Sequence, residues 1–392
     1  MRLCILVGMG HTVDLNLSRN KDVFTVGQEL IPTGKTLTYD IYINSSGRPG
    51  VEHFVKIWKK GRALSGDRLK QIQEKFGHIY VLEDERGSFL SCVGDASSLS
   101  KTEKSQVLKD AAVNYLKNIF QSEHQFSTRV LEETFRGCHG AVIGMLDVIK
   151  DSDILSLQDL IGELNYHDHY TYDHSIDSGI YNIAIMKTIN PNAKNEELVL
   201  AGLCGMFHDI GKVRLPNNII NATHGLTDED YNMIKKHPHW GADLIQGRNI
   251  HIENGVNIPM IATVILQHHE NFNGSGYPYG IAGNQINVFA RMTAIADFFD
   301  AITTKRSYHE PLEPLDALKV MANSRGKKLD PVLFDAFALR VRGYEKGKDY
   351  SIFLPDTFDP CQPHNHLPFQ IGDRPTRDHA ESKVYGKVIV KG

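Results

Sequence analysis

LVLAGLCGMFHDIGKVRLPNNII, residues 198–220, joins a continuous apolar run to an adjacent histidine–aspartate pair, His208 and Asp209. Just ahead of it, Asn195 is placed to cap exposed amides, and Glu196 and Glu197 complement the positive end of a helix. A helix starting there carries LVLAGLCGMF as a buried rod and presents His208 and Asp209 in its last turn, with Gly211 as the expected C-cap. Neighbouring helical residues point about 100° apart. The pair can therefore clamp one ion from two directions while Asp209 reaches a second.

Outward from this stretch the same kind of donor recurs, each in its own segment: His174 before it, then His237, the pair His268-His269, and Asp297. Imidazole and carboxylate suit borderline and hard divalent cations, and seven such groups exceed what one ion needs. One carboxylate can bridge two ions ~3.5–4 Å apart. The gaps are roughly one helix plus one loop, so successive helices would bring ligands to a common centre. Thr227 and Asp230 approximate a capping box for DEDYNMIKK (228–236). Pro238 disfavours helix at the residue before it, which leaves His237 at a break between helices. Ile261 to Gln267 reads as a buried helix running into His268, His269 and Glu270. Val288, Met292, Ile295, Phe299 and Ile302 mark the buried stripe of a helix over 286–304, with Asp297 and Asp300 off that stripe on a shared face. Any one of these histidines, in a chain holding 19, reads as a core or capping residue. Their joint order is the arithmetic of a metal-dependent phosphohydrolase on a helical bundle.

Composition sets the bounds. A chain of 392 residues holds two or three domains. A net charge of −4 without a basic stripe argues against a nucleic-acid-coating or membrane-surface protein. Five scattered cysteines with no CxxC pair read as reduced thiols of a cytoplasmic protein. The opening MRLCILVGMG lacks a cleavage site, and the comparable apolar run, Ile258 to Leu266, is far below the ~18 residues that span a bilayer.

Residues 1–98 read as a small α+β module, regulatory or docking in role. Strands are expected in LTYDIYI (37–43), FVKIW (54–58), HIYVLED (78–84) and FLSCV (89–93), and an amphipathic helix over 66–76. Residues 99–150 form a helical linker, its two long helices either a dimer stalk or packed on the domain. The metal domain covers 151–350, and a Pro- and His-rich tail covers 351–392.

FHDIGKVRLPNNII, then LT, a KHP step, ILQHHENFNGSGYP and AIADFFDAITTKRSY together resemble the HD-GYP domain, a subgroup of the HD metal phosphohydrolases, over roughly residues 150–345. The resemblance implies an all-α bundle that hydrolyses the 3′-5′ phosphodiester of cyclic di-GMP through a water acidified by two cations, giving pGpG and in some members GMP. It implies His174, His208, Asp209 and Asp297 around one ion, and Asp209, His237, His268 and His269 around the other. Lys212 would grip the scissile phosphate beside Asp209; Arg306 would contact substrate phosphate; Gly276, Tyr277 and Pro278 would form the substrate loop, Tyr277 stacking on or bonding to guanine. Asp300 would orient a ligand histidine.

Two positions depart from the pattern. Tyr170 stands where some members carry a glutamate for a third metal, so two metals are expected; His167, Asp168 and His169 have the wrong spacing to replace it. His309 replaces a lysine of the family's phosphate site. Iron or manganese is the implied metal, with nickel or zinc acceptable after purification. Implied partners are cyclic di-GMP, diguanylate-cyclase-type proteins and a second copy of the chain in a homodimer, with no nucleic acid and no membrane. The competing readings are a phosphohydrolase for another cyclic dinucleotide, 3′3′-cGAMP, and a catalytically weak cyclic-dinucleotide sensor or protein-interaction module.

Overall fold

Leu37, Tyr39, Ile41 and Ile43 are all buried, so the alternation in LTYDIYI sends one face of that segment into a core. The structure, a computed structural model, describes residues 3–7, 11–15, 23–46, 53–121, 127–149, 170–220, 227–247, 250, 256–304 and 311–341. The chain divides into two compact units, 1–151 and 152–392.

In the first unit β1 (Leu3–Val7) and β2 (His11–Leu15) pair as an antiparallel ribbon. A four-stranded antiparallel sheet runs in the order β3 (Val23–Val26), β6 (Ile79–Leu82), β4 (Ile41–Asn44), β5 (Phe54–Trp58). Helix α1 (Gly66–Phe76) lies between β5 and β6 in sequence, and Ser65 caps it by accepting from the Arg68 amide. FLSCV is not a strand: it lies in α2 (Arg86–Val93). An apolar run this short carries no usable period. Phe89, Leu90 and Val93 share a helical face that is buried, Phe89 meeting Phe24 and Tyr39 edge-on. Helices α3 (Lys101–Gln121) and α4 (Thr128–Ile149) belong to this same unit and pack on each other, with α2 against α4.

Among the described residues the regular elements of the second unit are helices, joined by loops. It comprises α5 (Tyr170–Ile189), α6 (Asn195–Phe207), a 3-10 turn over Ile210–Arg214, and the short α7 (Asn217–Ile220) and α8 (Asp228–Ile234). There follow α9 (His237–Gln246), α10 (Ile258–Gln267), α11 (Val288–Thr303), α12 (Pro314–Ala322) and α13 (Pro331–Ala338). Helix α5 packs on α6, α11 and α13; α10 packs on α6, α9 and α11. Those contacts bring the C-terminal ends of α6 and α10, the start of α9 and the middle of α11 to one centre. Among the described residues no helix is long and apolar enough to cross a membrane.

Two caps differ in fate. Asn195 is not the cap of α6 but its first helical residue; the cap is Lys194, whose amide donates to the Glu197 carboxylate. The capping box at α8 is complete: the Thr227 hydroxyl accepts from the Asp230 amide, and the Asp230 carboxylate accepts from the Thr227 amide. Thr227→Ala should therefore lower stability by about 1 kcal/mol in denaturant titrations.

Candidate metal centre

The end of α6 decides how the centre is built. Helix α6 stops at Phe207, and the chain tightens into a 3-10 turn from Ile210. His208 and Asp209 thus sit between two helical geometries. Gly211 is not the expected C-cap. A Cβ built there would fall 1.9 Å from the His237 carbonyl oxygen and 2.6 Å from the Gly241 amide nitrogen. Glycine at 211 lets this turn lie directly against the start of α9, the helix that carries His237.

Three histidines are oriented by the same device. His208 Nδ1 donates to the Gly205 carbonyl at 2.6 Å, His237 Nδ1 to Ile234 at 2.7 Å, and His268 Nδ1 to Ile265 at 2.7 Å. Each acceptor lies three residues upstream, at a helix end where carbonyls lack a helical partner. A carbonyl can only accept, so Nδ1 carries a proton, and in the neutral ring Nε2 is then left with its lone pair. The Nε2 atoms face inward: those of His237 and His268 are 3.2 Å apart. Burial above all, then the neighbouring His208 and His237, pushes the His268 pKa down to about 3, which keeps it neutral.

His174, in the first turns of α5, lies between two carboxylates of α11. Its Nδ1 donates to Asp300 at 2.5 Å, and its Nε2 meets Asp297 at 3.0 Å. Burial pulls its pKa down, but the hydrogen bonds to Asp297 and Asp300 outweigh it and raise the value to about 9. A cation at Nε2 would displace that proton. His269 completes the ring, 5.0 Å from His237 between ring centroids and stacked on Tyr277 at 4.8 Å.

All seven expected ligand residues therefore converge. Ligand atoms of Asp209, His237, His268 and His269 lie within 4.8 Å of one another, and so do those of His174, His208 and Asp209. Asp297 Oδ1 is 3.8 Å from His208 Nε2, beside the second group. Asp209 belongs to both. His208 Nε2 and Asp209 Oδ1 are fully buried without a hydrogen-bond partner, a costly state unless something positive meets them. This donor set fits a pair of divalent cations. Removing the Asp300 carboxylate, as in Asp300→Ala, should weaken metal affinity by roughly 10–100-fold in chelator competition while the chain stays folded.

The Gly274–Pro278 loop is tied to this centre by its backbone. The Tyr277 amide donates to the His269 carbonyl at 3.1 Å, and the Tyr279 amide donates to the buried Glu270 carboxylate at 2.6 Å. Gly276 lies so close to residues 269–271 that a Cβ would reach the Asn271 nitrogen at 2.1 Å. Lys212 Nζ pairs with Asp209 Oδ2, at the rim of the centre. Arg306, His309, His167, Asp168 and His169 lie outside the described residues, as does the tail over 351–392. Sequence reasoning attached no role to Glu270 or Tyr279; the adjacency of Glu270 to the His268-His269 pair was the available signal.

The second unit is thus a helical bundle that gathers seven imidazole and carboxylate groups, six of them buried and His269 half-buried, at one centre. Residues 171–333 match the model of the HD domain family. A cyclic di-GMP phosphodiesterase of Pseudomonas aeruginosa is 37% identical over 186 residues, 47% of this chain and 42% of that protein. A cyclic di-GMP phosphodiesterase response regulator of Xanthomonas campestris is 36% identical over 142 residues, 36% of each chain. A 3′3′-cGAMP-specific phosphodiesterase of Vibrio cholerae is 30% identical over 129 residues, 33% of this chain and 24% of that protein. The chain spans less than half the length of these relatives.

Proposed function

We propose that this chain is a metal-dependent phosphodiesterase that opens cyclic di-GMP to the linear dinucleotide pGpG, with GMP as a slower second product. The observation that carries the reading is the shared position of Asp209, common to two groups of donors that are all buried except the half-buried His269. His174, His208, Asp209 and Asp297 would hold one cation, and Asp209, His237, His268 and His269 the other; iron or manganese suits a histidine-rich site with a bridging carboxylate. When bound, such a pair acidifies a water to serve as nucleophile and neutralises charge on the scissile phosphate.

The chain's own groups do the rest. The carbonyls of Gly205, Ile234 and Ile265 hold three imidazoles in the ligating tautomer. Asp300 orients His174. Lys212, paired with Asp209 here, is placed to turn its ammonium to a phosphate oxygen and stabilise developing negative charge. Arg306 would contribute a bidentate phosphate contact and His309 a weaker one. The Gly276-Tyr277-Pro278 loop would border the substrate, with Tyr277 holding the ring of His269. Residues 1–98 would form a regulatory module, cytoplasmic with the rest, and a homodimer or a diguanylate-cyclase-type partner would act through it.

The test is to strip the protein with chelator, reload it anaerobically with Fe(II) or Mn(II), and resolve the products from cyclic di-GMP by chromatography. Turnover should vanish on chelation and return with metal, with pGpG accumulating before GMP. Faster opening of 3′3′-cGAMP would move the substrate to the mixed dinucleotide, the reading that the similarity to the Vibrio cholerae enzyme favours. Metal-loaded protein that binds nucleotide yet turns over neither would make this a sensor.

A further inference from the structure

The substrate loop carries two tyrosines with opposite surroundings. Tyr277 has one ring face covered by His269, at 4.8 Å and 23° between planes, and its hydroxyl is buried. That ring is committed to the metal centre. Tyr279 is 58% exposed, one of the few large hydrophobic side chains turned to solvent among the described residues. A lone exposed aromatic needs no explanation, but three features set this one apart.

Its backbone is fixed, because the Tyr279 amide is held by the buried Glu270 carboxylate at 2.6 Å, one residue beyond His269. The loop on either side is pinned as well: the amides of Phe272 and Asn273 donate to the Lys328 and Lys327 carbonyls, and Gly283 donates back to Phe272. Its ring is braced, since the exposed His239 stands perpendicular to it with centroids 5.5 Å apart. His239 in turn is two residues from the buried His237. An aromatic ring held rigidly beside a phosphodiester site, with its area open, is a stacking surface that loses little entropy on binding.

We propose that Tyr279, braced by His239, is a stacking subsite for a purine base of the nucleotide substrate. This rests on the phosphodiesterase reading and adds to it the group that reads the base. The hydroxyl is not needed; the ring is.

The test is calorimetric titration of the Mn(II)-loaded full chain with GMP and with ribose 5-phosphate, which shares the phosphate and sugar and lacks the base. Wild type should bind GMP the more tightly. Tyr279→Ala should weaken GMP by about tenfold and leave ribose 5-phosphate unchanged, in line with what a lost base stack costs. Tyr279→Phe should retain GMP binding, and His239→Ala should weaken it by about threefold. The subsite is overturned if Tyr279→Ala leaves GMP unchanged, if it weakens both ligands equally, or if wild type does not prefer GMP. Failure of the phosphodiesterase reading registers separately, as wild type that opens no cyclic dinucleotide with Tyr279 intact.

Discussion

Asp209→Ala is expected to reduce turnover of cyclic di-GMP by on the order of 10³-fold or more, with the helical content of the protein unchanged. Asp209 is the carboxylate common to both ligand groups, with Oδ1 3.2 Å from His237 Nε2 and Oδ2 3.4 Å from His208 Nε2. Burial opposes its ionisation, yet Lys212 and the neighbouring histidines hold its pKa well below the usual carboxylate range, so it is an anion. Deleting it removes the bridge between the two groups and the partner of Lys212 together. A contribution of several kcal/mol to charge stabilisation corresponds to that loss in rate. Steady-state kinetics and metal content by plasma mass spectrometry check it. Metal occupancy should fall from two ions per chain towards one or none. A variant that keeps both ions and a tenth of the activity would show that Asp209 does not bridge.

The second large effect is on the scaffold. Gly211→Ala should destabilise the chain by about 3 kcal/mol, at the upper end of what overpacking costs. The added Cβ would meet the His237 carbonyl at 1.9 Å and the Gly241 amide at 2.6 Å, and both are backbone atoms with no rotamer to escape through. Helix α9 must move as a body, and His237 moves with it. Thermal unfolding should shift down by roughly 10 °C for a unit of this size, and metal affinity should fall with it. Gly66→Ala is the matched control, since nothing lies within 4 Å of a Cβ there. Equal melting temperatures for the two variants would contradict the close contact.

The expected ligand residues were legible because metal chemistry restricts the residue types and the helices space them. His174, His208, Asp209, His237, His268, His269 and Asp297 carry that signal in their identity, and the structure brings all seven together. The capping box at Thr227 was equally plain, since it rests on local backbone chemistry. The helix expected to run to His237 stops instead at Ile234, and His237 and Pro238 open α9 because proline is tolerated in a first helical turn. What escaped depends on tertiary contact. Gly211 looks like a helix stop in one dimension, and only the approach of α9 reveals it as a contact point. FLSCV is apolar enough for strand or helix, and α4 decides the matter by offering a groove: a Cβ at Gly87 would lie 2.8 Å from the Arg136 carbonyl. Glu270 and Tyr279 match no ligand pattern, because their roles run through a backbone amide and a ring face.

The carbonyls of Gly205, Ile234 and Ile265 fix the Nδ1 proton of three histidines, so the orientation of these rings is specified by main-chain atoms that no substitution can remove. This divides tolerance to change unevenly along the chain. Core side chains of α6 and α10 can be exchanged for others of similar size without touching the centre. Gain or loss of a single residue within either helix cannot be absorbed, because it would swing the terminal histidine and its carbonyl together through about 100°, away from the other donors. Drift in this domain should thus run through substitutions within helices of constant length, with insertions confined to the loops between them.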